Sequence, residues 1–255
     1  MDRLVNGDAA RWLSAEPGAA GRRDLEIHPT AVVGERVLLG DGSLIGPYAV
    51  LLGPCSVGDG NWIGPYVAIG TPAGSRRVSH GGWFAPQGKG VAVGERNVIR
   101  EYVSIEQGTE GETVVGSGCF IMAYACVGHD VVLEDEVTIT NAVHIGGHTR
   151  VGRGATLGLG AVIRQRIAIG AGAMVGMQAA VTRDVPPFAL AVGAPARVKG
   201  ANQVGLMRRG TPRRAILALD DLFRSHASHQ WLDRLPECLP EDLLYEFERF
   251  RMSRT

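Results

Sequence analysis

The chain has 255 residues, of which 20% are charged and 6% aromatic, and its 26 lysines and arginines balance its 26 aspartates and glutamates. This balance gives no electrostatic reason to expect binding to nucleic acid or to an anionic membrane surface. No apolar run approaches the ~20 residues that a membrane-spanning helix needs. The four cysteines form no CxxC or other metal-binding spacing, so we expect free thiols in a reducing, cytoplasmic location.

The first 24 residues are polar and rich in alanine and glycine, and they predict an N-terminal extension. The stretch from Met1 to Arg23 has no apolar core of the kind found in secretory leaders, so we expect no signal peptide. A regular pattern starts only at Ile27.

From Ile27 onward, an aliphatic residue recurs at every sixth position. Neither the helical period of 3.6 nor the strand period of 2 produces a strict six. A six-residue repeat is typical of a parallel β-helix, in which each unit forms one short strand and one corner. Three units form a coil of 18 residues in known hexapeptide-repeat proteins. The 23 repeat positions are Ile27, Val33, Leu39, Ile45, Leu51, Val57, Ile63, Ile69, Val93, Ile99, Ile105, Val115, Ile121, Val127, Leu133, Ile139, Ile145, Val151, Leu157, Ile163, Ile169, Val175 and Val181.

The repeat predicts a β-helix over residues 25–199, with two interruptions. Residues 71–92 contain five glycines and two prolines, and they predict a long loop of the kind that is often functional. A second, shorter excursion is expected at residues 106–114. A helical domain should follow over residues 200–255, with Thr211 as N-cap and Pro212 in the first turn of one helix, and a second helix starting at Pro240.

The unbroken register between residues 115 and 186 predicts which side chains become neighbours, because residues 18 apart should lie one above the other, about 4.8 Å apart. The sequence therefore predicts a cluster of three histidines, a carboxylate and a thiol on one outer face. The expected columns are His129, Gly147, Gln165 and Arg183; Asp130, His148 and Arg166; and Cys126 with His144.

A histidine beside an exposed backbone N–H is an arrangement suited to acyl transfer. His129 could remove a proton from an attacking hydroxyl or amine. Gly147 leaves a gap beside it, and its N–H could stabilise an oxyanion.

Three other interpretations of the same cluster remain open. The histidines could simply be solvated. They could hold zinc, although Cys126 is the only evident further ligand. Cys126 and His144 could form a nucleophile pair, although no oxyanion donor is evident beside Cys126.

Several segments outside the repeat are more specific than the repeat itself. They include IHPTAVVG from Ile27, VGERNVIREYVSIEQGT from Val93, MAYACVGHDV from Met122, IGGH from Ile145, DVPPF from Asp184 and GANQVGLMRRG from Gly200. Over about residues 25–255 the chain resembles the UDP-N-acetylglucosamine 3-O-acyltransferases, the acyl-ACP-dependent first enzymes of lipid A synthesis. The resemblance implies a left-handed parallel β-helix with a C-terminal helical domain, a homotrimer with active sites between subunits, and no cofactor.

The resemblance also implies roles for individual residues. His129 matches the catalytic base, Asp130 its supporting carboxylate and Gly147 the oxyanion donor. Met177 falls at the acyl-chain ruler, where glycine admits a longer chain, so a medium-length chain is expected. Substrate-binding positions match Arg77, Cys126, His148, Gln165, Asn202, Arg208 and Arg209. A basic surface for acyl carrier protein, an acidic partner, is expected from Arg164, Arg166, Arg183, Arg197, Lys199 and Arg213.

The chain departs from the family pattern at recognition positions while the base and the oxyanion donor are kept. Cys126, Glu106 and Arg164 replace histidines, Ser75 replaces an aspartate, Val204 a glutamate and Pro195 a histidine. We therefore expect the acceptor to be UDP-N-acetylglucosamine or a related nucleotide sugar, acylated on oxygen or nitrogen.

Three alternatives remain for the function. GAPAR at 193–197, together with Met177, is compatible with a CoA-dependent acetyltransferase acting on a nucleotide amino sugar. A zinc enzyme similar to γ-carbonic anhydrase and a non-catalytic β-helix scaffold are the others.

Overall fold

The computed structural model describes residues 25–78, 88–225 and 234–252. The predicted N-terminal extension and part of the predicted long loop lie outside these residues. The strands in the described part are β1 (Glu26–Ile27), β2 (Val32–Val33), β3 (Val37–Leu39), β4 (Leu44–Ile45), β5 (Val50–Leu51), β6 (Cys55–Val57), β7 (Trp62–Ile63), β8 (Ala68–Thr71), β9 (Val91–Val93), β10 (Val98–Ile99), β11 (Ser104–Glu106), β12 (Thr113–Val115), β13 (Phe120–Ile121), β14 (Cys126–Val127), β15 (Val132–Leu133), β16 (Thr138–Ile139), β17 (His144–Ile145), β18 (Arg150–Val151), β19 (Thr156–Leu157), β20 (Val162–Ile163), β21 (Ala168–Ile169), β22 (Met174–Val175), β23 (Ala180–Val181), β24 (Ala189–Val192) and β25 (Arg197–Ala201).

The strands form three sheets, and from β1 to β23 every third strand along the chain joins the same sheet. The first sheet has the order β1-β4-β7-β10-β13-β16-β19-β22-β24-β25, the second β2-β5-β8-β11-β14-β17-β20-β23, and the third β3-β6-β9-β12-β15-β18-β21. All pairings are parallel except that of β24 with β25, which is antiparallel. The chain therefore winds as a three-sided parallel β-helix, as the six-residue repeat predicts.

Strand register confirms the predicted spacing of 18 residues. Cys126 pairs with His144, which in turn pairs with Val162. Register changes at the two predicted interruptions: Ala68 pairs with Ser104 across the long loop, and Val91 pairs with Thr113 across the short excursion. The predicted long loop therefore falls between β8, which ends at Thr71, and β9, which starts at Val91, and the excursion occupies residues 107–112 between β11 and β12.

The aliphatic residues of the repeat form the core of the prism. Every repeat residue from Ile45 to Val181 is at most 4% exposed. Ile27 and Val33 are 44% and 37% exposed, because they lie in the first coil, whose outer side no other described coil covers. The buried stack stabilises the helix because each side chain meets its copies above and below.

Buried polar groups inside the prism are paired with one another. Asn61 Oδ1 accepts hydrogen bonds from the backbone N–H and the side-chain amide of Asn97, both at 2.9 Å. Asn97 Oδ1 accepts from the N–H of Cys119 at 2.7 Å. This ladder satisfies polar groups that would otherwise be costly to bury.

All four cysteines are free, in agreement with the sequence. Burial raises the pKa of Cys55 to about 12 and that of Cys119 to about 11. These two thiols are therefore structural and unreactive.

Four tyrosines stack along the corner between the first and second sheets. Their ring centroids are 4.9–5.0 Å apart, which is the coil spacing. Each adopts a left-handed backbone conformation with φ between 58° and 63°. The four are Tyr48, Tyr66, Tyr102 and Tyr124.

A helical region follows the last strand. It contains α1 (Gln203–Arg208), α2 (Arg213–Ser225) and α3 (Glu241–Met252). The two longer helices lie where the sequence predicts them, and the Pro212 and Pro240 carbonyls accept the first helical hydrogen bonds. Because α2 begins at Arg213, its N-cap position is Pro212, one residue later than the predicted Thr211. Strand β25 continues to Ala201, so the sheet extends two residues past the predicted boundary at residue 199. None of the described helices has the length and apolar character that crossing a membrane requires.

Candidate active site

His129 and Asp130 occupy the corner between β14 of the second sheet and β15 of the third. The buried repeat residues Val127 and Leu133 hold the two strands in place on either side. Asp130 completes the corner in a left-handed conformation with φ of 58°. The corner turns both polar side chains outward, and His129 remains 20% exposed while Asp130 is only 6% exposed.

The Asp130 carboxylate is surrounded by donors from the excursion between β11 and β12. Thr109 donates its N–H to both carboxylate oxygens, at 3.0 and 2.9 Å, and its hydroxyl to Oδ2 at 2.7 Å. Glu110 and Gly111 donate their N–H groups to Oδ1 at 2.8 and 2.9 Å. Burial alone would raise the pKa of Asp130, but hydrogen bonds from Gly111, His129 and Thr109 outweigh it and hold this pKa well below its usual range.

The ionised Asp130 determines how the imidazole of His129 is oriented. His129 Nδ1 lies 2.7 Å from Asp130 Oδ2. An ionised carboxylate can only accept a hydrogen bond, so Nδ1 carries a proton, and in the neutral imidazole Nε2 is the nitrogen with the lone pair. The pair is arranged for proton abstraction at Nε2.

Gly147 lies directly against the ring of His129, one coil further along. A Cβ atom at this position would meet Cε1, Nε2 and Nδ1 of the imidazole at 2.7, 2.8 and 3.0 Å. Only glycine therefore leaves room for the ring. Within the described residues the N–H of Gly147 donates no hydrogen bond, so a donor is free beside the base.

His148 completes the cluster from the same side. Its ring meets that of His129 edge-on at 5.0 Å between centroids, and its Nε2 lies 3.8 Å from Asp130 Oδ2. Ligand atoms of His129, Asp130 and His148 lie within 4.8 Å of one another. The oxygens of Asp130, however, are committed to N–H and O–H donors, an arrangement suited to proton transfer rather than to binding a cation.

Cys126 and His144 lie on the outer face of the second sheet next to this corner. They pair in register on β14 and β17, Cys126 half-buried and His144 exposed. Gln165 is exposed at the corner one coil after Gly147. Arg77 is also exposed, with its backbone N–H donating to Ser75 Oγ in the long loop.

Asn202, Arg208 and Arg209 lie elsewhere on the prism. Asn202 caps α1 by accepting from Gly205 N–H, and its amide donates to the Gly172 carbonyl at the corner between the third and first sheets. Arg209 pairs with Asp242 at 2.9 Å, whereas the exposed Arg208 forms no ion pair within the described residues. These residues line a cleft of about 680 Å³. Within one chain, these three residues therefore lie at a different corner from His129.

Met177 lies at the third kind of corner, between β22 of the first sheet and β23 of the second. Its side chain is 70% exposed. Leu159, at the same corner one coil earlier, is 49% exposed, so the two form an apolar edge.

Most of the contacts that hold the His129–Asp130 pair could not be predicted from the sequence. Glu106 accepts a hydrogen bond from His129 N–H at 3.2 Å, and the donors to Asp130 come from residues 109–111. The only signal for them was the break in the repeat at residues 106–114, which showed an excursion but not its direction.

Comparison with known proteins places the chain in a family. A family model described as Udp N-acetylglucosamine O-acyltransferase, Domain 2, matches residues 184–237. The acyl-[acyl-carrier-protein]–UDP-N-acetylglucosamine O-acyltransferase of Thiobacillus denitrificans is 38% identical over 213 residues, which cover 78% of this chain and 83% of that protein. The chain belongs to the UDP-N-acetylglucosamine O-acyltransferase family.

Further relatives agree with this assignment. The protein of the same name from Gloeothece citriformis is 42% identical over 136 residues, which span 52% of this chain but only about half (49%) of that relative. The UDP-N-acetylglucosamine acyltransferase of Campylobacter jejuni has a similar structure, with a TM-score of 0.71 at 25% identity over 90% of this chain and 94% of that one. The Francisella novicida acyltransferase gives a TM-score of 0.70 at 25% identity, covering 88% and 90%. The resemblance found in the sequence is thereby confirmed.

Proposed function

We propose that this protein transfers an acyl group from acyl carrier protein to the 3-position of UDP-N-acetylglucosamine or of a related nucleotide sugar. Family membership supports the reaction class and the two substrates. The observation that carries the proposal is the His129–Asp130 pair with Gly147 against the ring. It provides a base and a free N–H side by side.

The proposed chemistry uses these groups in one addition and one elimination. His129 Nε2 removes the proton from the acceptor hydroxyl or amine as it attacks the thioester carbonyl carbon. The N–H of Gly147 stabilises the oxyanion of the tetrahedral intermediate. The intermediate then collapses and expels the thiolate of the carrier, which receives the proton from the imidazolium of His129. Asp130 stabilises the imidazolium between the two steps.

A second copy of the chain would complete the site. Arg208 and Arg209 suit the phosphates of a nucleotide sugar or of a phosphopantetheine arm. They lie at the corner between the third and first sheets, whereas His129 lies between the second and third. A homotrimer with sites between subunits, as the sequence resemblance implies, would allow one copy to provide the base and another the arginines.

Two further features bear on the substrates. Met177 presents an exposed thioether at the position matched to the acyl-chain ruler, so we expect it to limit the chain to medium length. Val204, 53% exposed on the cleft with Arg208, is apolar where the resemblance leads us to expect a glutamate. The acceptor can therefore differ from UDP-N-acetylglucosamine in detail.

The expected docking surface for acyl carrier protein can be narrowed. Arg164, Arg166 and Arg183 are all exposed and follow strands of the second sheet, at the same corner as His129. The other basic residues of the predicted surface lie on β25 and at the start of α2. We propose that the carrier contacts the corner group, in the cytoplasm.

Product analysis tests the proposal. Purified protein is incubated with acyl carrier proteins bearing chains of increasing length, and with acetyl-CoA, against UDP-N-acetylglucosamine and its 3-amino analogue. We expect an acylated nucleotide sugar from a medium-chain acyl carrier protein. Turnover with acetyl-CoA alone would instead assign the chain to the CoA-dependent acetyltransferases. No product from any pair would contradict the proposed substrates.

A further inference from the structure

The excursion of residues 107–112 connects the long loop to the catalytic corner. Gln107 is fully buried at its base. Its amide donates to the Gly70 carbonyl at 2.6 Å and accepts from Gly88 N–H at 3.0 Å, so it joins the two ends of the loop. Two residues later, Thr109 begins the series of donors to Asp130. The excursion is thus fixed to the ends of the long loop through Gln107, and its residues 109–111 donate hydrogen bonds to Asp130.

We propose that residues 107–111 are a positioning element for the His129–Asp130 pair, with Thr109 as its decisive side chain. The inference rests on the proposed role of His129 as the base. The Thr109 hydroxyl donates at 2.7 Å to Asp130 Oδ2, the same oxygen that accepts from His129 Nδ1 at 2.7 Å. Thr109 therefore fixes the position of this oxygen. Its hydrogen bond also reduces the negative charge with which the oxygen attracts the imidazole.

The backbone of the excursion strengthens this control. Three successive N–H groups, from Thr109 to Gly111, converge on the carboxylate, which is the geometry of a backbone nest for an anion. On the other side of the corner, Thr113 Oγ1 accepts from Asp130 N–H at 2.8 Å. Asp130 is therefore held at its side chain by the excursion and at its backbone by Thr113, the first residue of β12.

Removing the Thr109 hydroxyl should alter proton transfer in a defined direction. With one donor fewer, Oδ2 exerts more of its negative charge on His129 and favours the imidazolium form. The active form, with a free Nε2, then needs a higher pH. Among the described residues, Glu106 Oε2 accepts from the His129 N–H at 3.2 Å, and the titratable ring of His148 meets that of His129 edge-on. Glu110, whose N–H donates to Asp130, forms a weak ion pair with Arg166 at 3.9 Å. The substitution at Thr109 changes none of these side chains.

The test compares Thr109→Val, which keeps the shape and loses the hydroxyl, with Thr109→Ser, which restores a hydroxyl. Thr140→Val is the matched control, because Thr140 is also half-buried and donates its hydroxyl to a backbone carbonyl, that of Leu157. We expect Thr109→Val to lower kcat roughly tenfold with little change in KM. We also expect the acid limb of its kcat/KM profile to move up by roughly half a pH unit. Thr109→Ser should recover both quantities, and Thr140→Val should leave both unchanged.

Two outcomes would overturn the inference. One is a Thr109→Val enzyme with wild-type kcat. The other is a loss of kcat while the acid limb stays in place, because a purely structural defect would lower kcat without moving the acid limb. His129→Ala, assayed in parallel, separates the two proposals: an active His129→Ala would refute the base itself, whereas an inactive one beside a fully active Thr109→Val refutes only the positioning role.

Discussion

A single methyl group at position 147 should disable the enzyme while leaving its fold intact. The new Cβ would lie 2.7–3.0 Å from three atoms of the His129 ring, against the ~3.5–4.0 Å of an ordinary carbon contact. The ring must therefore move by roughly 1 Å, and a misplacement of that size costs up to about 10²-fold in rate. We expect Gly147→Ala to lower kcat/KM about a hundredfold, or about 2.7 kcal/mol of transition-state stabilisation.

The same substitution should have little effect on stability. Gly147 does not adopt a positive φ, so alanine fits its backbone conformation. The His129 ring is 20% exposed and can swing outward without opening the core. We therefore expect the Tm of Gly147→Ala to stay close to that of the wild type.

The assay is steady-state acyl transfer in a double-mutant cycle with His129→Ala. Once the imidazole is gone, the extra methyl has room, so the double variant should be no slower than His129→Ala alone. Wild-type kcat/KM in Gly147→Ala would refute the reasoning. So would an equal, additive loss in the double variant, because the methyl group would then act somewhere other than the ring.

Three further predictions follow from the same geometry. Met177→Gly should shift preference toward longer acyl carrier proteins, and an unchanged chain-length profile would show that Met177 does not limit the groove. Charge reversal at Arg166 and Arg183 should raise KM for acyl carrier protein but not for a small thioester; equal KM values for both variants and wild type would exclude this docking surface. Because the pKa of Asp130 is lowered on folding, its stabilising contribution is present above the unfolded value of about 3.9 and is lost as pH falls further. The difference in unfolding free energy between wild type and Asp130→Asn should therefore shrink below about pH 4, and a pH-independent difference would contradict the hydrogen-bonded carboxylate.

The repeat was sufficient to predict the architecture because each six-residue unit forms its strand and corner from its own residues, and the same unit recurs along the chain. A branched aliphatic residue every six positions fixes strand, corner and coil, and unbroken register then fixes which side chains meet. That is why the pairing of Cys126 with His144 and the approach of His148 to Asp130 can be predicted from the sequence.

The remaining contacts could not be predicted because they depend on segments that leave the repeat. The donors to Asp130 come from a six-residue excursion whose path is set by Gln107 and the loop ends, not by periodicity. The substrate contact expected of Asn202 stays a prediction, but the sequence pattern could not show that its side chain also caps α1, a helix of only six residues. The placement of Arg208 at a different corner from His129 likewise could not be predicted, because it depends on how the helices pack on the last coils.

The measurement that tests the account most directly is acyl transfer by His129→Ala across pH, with the donor and acceptor that the wild type uses best. His28→Ala is the matched control, because His28 lies in the first coil, where its ring contacts Thr30. The account predicts that His129→Ala loses at least about 10²-fold in kcat/KM together with the acid limb of its pH profile, while His28→Ala keeps both. A His129→Ala enzyme with wild-type rate and an unchanged acid limb would contradict the assignment of His129 as the base.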